Sequence, residues 1–159
     1  MTRNVRSLRM YGQGADLQLL DWPWVEERLV TAPLYWVVAA SDGWPHSRPV
    51  WGVWHDSSLF VSVGSPELRR AIAKDGRVTV HLESATQVVV VEGWAVSSAD
   101  ESAAVQAYDV KYEYSYDVSF YGPLACIEPR QVLAWTTAGV AGRDGFRMGS
   151  AWSFDSRPE

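Results

Sequence analysis

Two serines and three arginines around one turn carry the most directed chemistry in this chain. Ser62 and Ser65 offer hydroxyls, Arg69 and Arg70 offer guanidinium groups, and Arg48 opens the strand expected to face them. Ser65-Pro66-Glu67 reads as a helix start, with a serine cap, proline at the first helical position and an acid behind it. A helix start presents free amide N–H groups and the positive end of the helix dipole. With hydroxyls and arginines beside it, such a turn can hold a phosphate. The plainer alternative is a capped surface helix with solvated arginines.

A flat group attached to that phosphate would lie on the preceding strand, Val50-Trp51-Gly52-Val53-Trp54. Glycine inside a strand marks either a bend or the close approach of another group, whose edge main-chain N–H and C=O groups could read. Tyr108 and Tyr112 sit four apart on one helical face, with Lys111 alongside and Tyr114 and Tyr116 following. This cluster could line a substrate mouth, with a tyrosine donating a proton; it could equally pack a dimer. His46, His55 and His81 match no metal-binding spacing, and Cys126 reads as a small buried residue. Nothing resembles a nucleophile elbow.

The elements that must position these groups follow from turn and cap signals. Residues 1 to 20 show no clear period and read as a flexible N-terminal arm; 21–159 read as one domain. Asp21 caps a short helix through Trp22-Pro23-Trp24. Leu34 to Ala40, Arg48 to Trp54 and Leu59 to Val63 form a meander joined at Ser41-Asp42-Gly43 and His55-Asp56-Ser57-Ser58. A helix opens at Ser65 and stops at Asp75-Gly76. Arg77 to Leu82 alternates and reads as a strand. Gln87 to Val96, with four consecutive valines, reads as a strand covered on both faces. Asp100 to Tyr114 is helical, and Leu124 to Ile127, Gln131 to Thr136 and Phe146 to Phe154 supply the last strands. The pattern predicts a mainly β fold with flanking helices, a small closed barrel with helical decoration.

The bulk numbers bound the rest. The chain has 159 residues, 47% of them apolar, enough for a real core. A net charge of −5 and a pI near 5.2 argue against nucleic acid as a partner. A single cysteine excludes an internal disulfide. The absence of a signal peptide or a long apolar run predicts a cytoplasmic protein that does not engage a membrane. Nine tryptophans imply a barrel core, a dimer interface or a ring-binding pocket, the first two taking most of them.

These segments in their order resemble the pyridoxamine 5′-phosphate oxidase-like split-barrel superfamily, and within it the flavin/deazaflavin-dependent oxidoreductases of actinobacterial type. The likeness spans about Leu34 to Phe154. It rests on Arg48-Pro49-Val50-Trp51-Gly52-Val53-Trp54, Leu59-Phe60-Val61-Ser62, Arg70 with its helix, Asp75-Gly76-Arg77-Val78-Thr79-Val80-His81-Leu82-Glu83-Ser84 and Val88-Val89-Val90-Val91-Glu92-Gly93. The resemblance implies a six-stranded split barrel that pairs as a homodimer, with cofactor grooves at the interface. Trp51 to Trp54 would lie along the ring system, and Ser62, Ser65, Arg69 and Arg70 would meet the phosphate. Trp94, Lys111, Tyr112 and Trp152 would be offered by the other subunit. The implied chemistry is hydride transfer from reduced coenzyme F420 to an activated C=C bond or similar acceptor of a flat small molecule, with the proton coming from solvent or a tyrosine such as Tyr112. FMN in the same groove is the alternative cofactor, and a non-catalytic flavin, deazaflavin or haem carrier the alternative role. Two positions depart from the family pattern: Leu68 stands where a lysine is frequent, and Ser150-Ala151-Trp152 where Thr-Arg-Trp is frequent.

Overall fold

The computed structural model describes residues 3–10, 17–98 and 100–154. Nine strands and four α-helices follow in the order β1 (Arg3–Ser7), α1 (Trp22–Thr31), β2 (Tyr35–Ser41), β3 (Trp44–Val50), β4 (Gly52–His55), β5 (Ser58–Val61), α2 (Pro66–Asp75), β6 (Arg77–His81), β7 (Gln87–Val96), α3 (Ser102–Tyr112), α4 (Val118–Tyr121), β8 (Ala125–Thr137) and β9 (Phe146–Phe154). The mainly β architecture with flanking helices is as expected.

All strand pairs are antiparallel. A closed circuit runs β2, β3–β4, β5, β8, β7, β6 and back to β2, which makes six barrel staves if β3 and β4 count as one. β9 and β1 extend the sheet beyond β8. The long β8 joins the two halves: its first residues pair with β5, and its second half pairs with β9.

Local signals place several elements directly. Asp21 accepts from the Trp24 amide at 3.2 Å and Ser65 from the Leu68 amide at 3.3 Å, so both expected caps form. Gly76 ends α2 in the left-handed region at φ 74°, where a side chain would be strained. Asp42 and Gly43, both at positive φ, make the two-residue turn between β2 and β3. Tyr35, Val37 and Ala39 alternate into the core and meet Leu29, Leu59, Leu68 and Ile127 there. A smaller cluster under α3 holds Val53, Phe60, Tyr108, Tyr116, Leu124 and Cys126.

Four expectations need correction. Residues 3 to 7 form β1, paired with β9, and Leu8, Leu17 and Leu20 are buried, so part of the expected loose arm is tied to the sheet; residues 11–16 lie outside the described ones. The strand read from Arg48 to Trp54 breaks at Trp51, because Val50 still pairs with Tyr35 of β2 whereas Gly52 pairs with Val61 of β5. The two strands read on either side of Pro129 are one. Proline is tolerated within β8 because it faces Gly93 beside a bulge, where Arg130 of β8 is passed over between the Glu92–Gln131 and Gly93–Pro129 pairs. The outer face of β7 also remains partly open, with Val90, Glu92 and Trp94 only half-buried.

Candidate functional site

The break at Trp51 opens a cleft. As the chain leaves β2 for β5, Trp51 is left at the corner, 42% exposed. The cleft between this corner and the loop before α2 has a volume of about 450 Å³, within the range of small-molecule sites. Arg48, Val50 and Trp51 form one side, Ser62 and Ser65 the loop side, and the phenol rings of Tyr108, Tyr114, Tyr116 and Tyr121 the facing wall. One guanidinium, two hydroxyls and five aromatic rings thus share a single concavity. Arg48, exposed, rests its guanidinium on the Ser47 carbonyl at 2.8 Å.

The wall is itself well built. Trp51 stacks on Tyr112 with ring centres 4.5 Å apart and planes at 4°, and Tyr114 meets its edge at 5.8 Å. Tyr116 hydrogen-bonds the Gly122 carbonyl at 3.1 Å. Tyr114 and Tyr121 share a hydrogen bond between their hydroxyls at 2.7 Å, which leaves one phenolic hydrogen of that pair uncommitted. Burial pushes the Tyr108 phenol up to about 12, against a smaller opposing effect of the Ser62 hydroxyl. The Tyr116 phenol is likewise raised by burial and the Tyr114 phenol by its hydrogen bond to Tyr121, so these three are neutral donors at physiological pH.

Other expected site residues sit elsewhere, each for a visible reason. Gly52 is a glycine because a Cβ there would stand 2.7 Å from the Phe60 carbonyl oxygen and 2.8 Å from Val61, not because a ligand approaches it. Its main-chain groups are occupied: the N–H donates to the Tyr112 hydroxyl at 3.0 Å, and the C=O accepts from Tyr112 and from the Lys111 amine at 3.0 Å. Tyr112 therefore brackets α3 to β4 within one chain, behind Trp51 rather than in the cleft. Val53 and Trp54 point into the two cores, and the Trp54 indole donates to Glu26 at 3.3 Å. Trp152 is 3% exposed and packs edge-on against Trp22, so it is not available to a second subunit. Arg69 turns away to the Val63 carbonyl, and Arg70 pairs with Glu67 at 3.4 Å on the surface. Trp94 lies in a different groove, with Arg77, Glu92 and Arg130.

The two departures from the family pattern lose their weight here. Leu68 and Ala151 are both 0% exposed, inside the core, so a cation at either position would not reach the cleft in this chain. Tyr121 was the lining residue that sequence reading missed. It sits on the four-residue α4, whose only advance signals are the Asp117 cap and the Gly122-Pro123 stop.

Lys111 is the oddest charge near the site. Its amine sits between the Tyr35 hydroxyl at 2.9 Å and the Gly52 carbonyl, over the rings of Tyr35 and Tyr112, with no carboxylate ion-paired to it among the described residues. Desolvation lowers it to about 8 from an ordinary 10.5. The unfolded chain binds the extra proton between these values, so stability should rise with pH from about 8 to 10.5. Lys111→Met is expected to remove this rise, on the order of 1 kcal/mol after discounting for half-exposure. Urea midpoints of both proteins at pH 7.5 and 9.5 check it; equal slopes would mean that the amine is solvated.

No family model and no curated protein matches this sequence. Solved structures do match its shape. A FAD-binding protein from Mesorhizobium loti has a TM-score of 0.59 at 14% identity, covering 97% of this chain and 100% of that one. A pyridoxamine 5′-phosphate oxidase-type protein from Listeria innocua has a TM-score of 0.54 at 15% identity, covering 70% and 92%. An F420 reductase has 0.52 at 17%, covering 67% and 94%. Identities this low speak for fold alone. The fold is that of the pyridoxamine 5′-phosphate oxidase-like split barrels, to which the flavin-binding structures of this group conform.

Proposed function

We propose that the chain is a flavin- or deazaflavin-dependent oxidoreductase, and specifically a reductase that uses reduced coenzyme F420 on an activated C=C bond of a flat substrate. The observation that carries this reading is the single cleft in which Arg48, Ser62 and Ser65 meet Trp51 and the tyrosine wall. A phosphorylated aromatic molecule needs both halves of such a site: charge-assisted bonds at one end and ring faces at the other. The bound cofactor would supply the hydride. The protein would hold donor and acceptor together, with the rigid Trp51–Tyr112 stack fixing the floor. The proton would come from solvent or from the Tyr114–Tyr121 pair, both of which line the cleft, and not from Tyr112.

Titration of the purified protein with coenzyme F420 and separately with FMN, followed by tryptophan quenching, tests the reading. Micromolar binding of F420 supports it, and binding of FMN alone moves the assignment to the alternative cofactor. Failure of both to bind would overturn it. Tight binding without turnover on any enone or quinone would leave a non-catalytic carrier, a role that the presence of only one cation in the cleft lining favours.

Tyr112→Phe separates bracket from acid. It is expected to cost about 1–2 kcal/mol of stability by leaving the Gly52 N–H without its partner, while turnover below the melting transition stays within about threefold. The double change Tyr114→Phe and Tyr121→Phe should slow the proton-dependent step by at least about tenfold. Rates and melting curves of the variants check both statements.

The same reading includes a homodimer. Its support is the second groove, of about 900 Å³, where Val38, Ala40, Pro45 and Trp94 form an apolar floor, and the neighbouring Trp44, 76% exposed on the edge strand β3. Sedimentation equilibrium tests it.

A further inference from the structure

A smaller cavity, of about 250 Å³, lies across the Ser62–Ser65 loop from the aromatic cleft; the two linings have only Tyr121 in common. Two opposite charges border it, Arg69 from α2 and Glu101 just before α3. They do not pair with each other, and neither has an ion-pair partner among the described residues. Each is tethered to main chain instead. Arg69 donates through Nη2 to the carbonyls of Val63 at 2.6 Å and Tyr121 at 3.4 Å, and Glu101 accepts the Leu124 amide at 2.8 Å through Oε2. These tethers leave Nε and Nη1 of Arg69 and Oε1 of Glu101 without a hydrogen-bond partner among the described residues. The lining also offers the aliphatic side chains of Ile72, Val96 and Leu124 and, beside them, Ser97 and Ser98.

We propose that this cavity binds a small zwitterion, an α-amino acid with an aliphatic side chain. Its carboxylate would accept from Nε–H or Nη1–H of Arg69, and its ammonium group would donate to Oε1 of Glu101. The side chain would cover Ile72 and Val96. A guanidinium N–H makes a charge-assisted hydrogen bond to a carboxylate oxygen. The volume agrees: at about 30 Å³ per water-sized group the cavity takes roughly eight such groups, and leucine has about nine non-hydrogen atoms. One ion-pair partner at each end answers the two charges that the fold leaves unpaired.

The test is calorimetric titration of the full chain with L-leucine, 4-methylpentanoate, which lacks the amine, and 3-methylbutylamine, which lacks the carboxylate. No flavin is present, so the result is independent of the function proposed above. Leucine is expected to bind, and each half-analogue to bind at least about tenfold more weakly. Glu101→Gln keeps an acceptor for the Leu124 amide and so preserves the fold. It should reduce leucine to the affinity of 4-methylpentanoate and leave the latter unchanged. No heat from leucine at about 10 mM would overturn the proposal. So would equal binding of leucine and 4-methylpentanoate, which would describe a plain anion site at Arg69.

Discussion

Gly93→Ala is expected to remove about 4 kcal/mol of stability, a large share of the roughly 5–15 kcal/mol that holds a single domain folded. A Cβ at this position would stand 2.2 Å from the Glu128 carbonyl oxygen, 3.0 Å from its carbon and 3.2 Å from the Pro129 Cα. All three are backbone atoms of the neighbouring strand, so no side chain can turn aside. The bulge also cannot slide. β7 pairs with β8 on both sides of it, from Gln87↔Thr136 to Val96↔Cys126, and a shift would turn Val89 and Val91 out of the core. Gly52→Ala should cost less, about 2 kcal/mol, because one of its close neighbours is the Val61 side chain rather than main chain. Urea unfolding followed by circular dichroism checks the order. A melting temperature for Gly93→Ala within about 2 °C of the parent would show that β8 yields at Pro129.

What could be read from the sequence was what local chemistry decides. The caps at Asp21 and Ser65, the stop at Gly76 and the turn at Asp42-Gly43 each depend on residues within a few positions. The strand through Pro129 was not legible, because the proline is acceptable only opposite Gly93, far away in the chain. The site divided in the same way. Arg48, Ser62 and Ser65 were expected at one place and the structure brings them to one cleft. Arg69 and Arg70 were grouped with them through sequence adjacency, yet adjacent helical residues point about 100° apart. One found the Val63 carbonyl and the other Glu67. Trp54 and Trp152 lie in strands and fill the core, whereas Trp51 lines the cleft because the strand breaks there, a break that only the pairing of distant strands decides.

That division of the arginines makes the second large effect a contrast. Arg48→Ala is expected to weaken binding of F420 or FMN by about 10- to 100-fold, whereas Arg70→Ala should change it by less than about twofold. Arg48 is the only guanidinium in the lining of the aromatic cleft, and one charge-assisted hydrogen bond is worth about 1.5–3 kcal/mol. Arg70 faces Glu67 on the outer side of α2, and its charge there is screened by water. Salt sharpens the comparison, since an exposed ion interaction fades as ionic strength rises. The parent should lose affinity between 50 and about 500 mM salt, and Arg48→Ala should lose much less, having little left to screen. Ring stacking on Trp51 gives the residual binding, so Arg48→Ala should still quench tryptophan fluorescence at saturation. If Arg70→Ala instead carried the loss and Arg48→Ala none, the phosphate would sit at the exposed start of α2, and the aromatic cleft would be the seat of the substrate rather than of the cofactor.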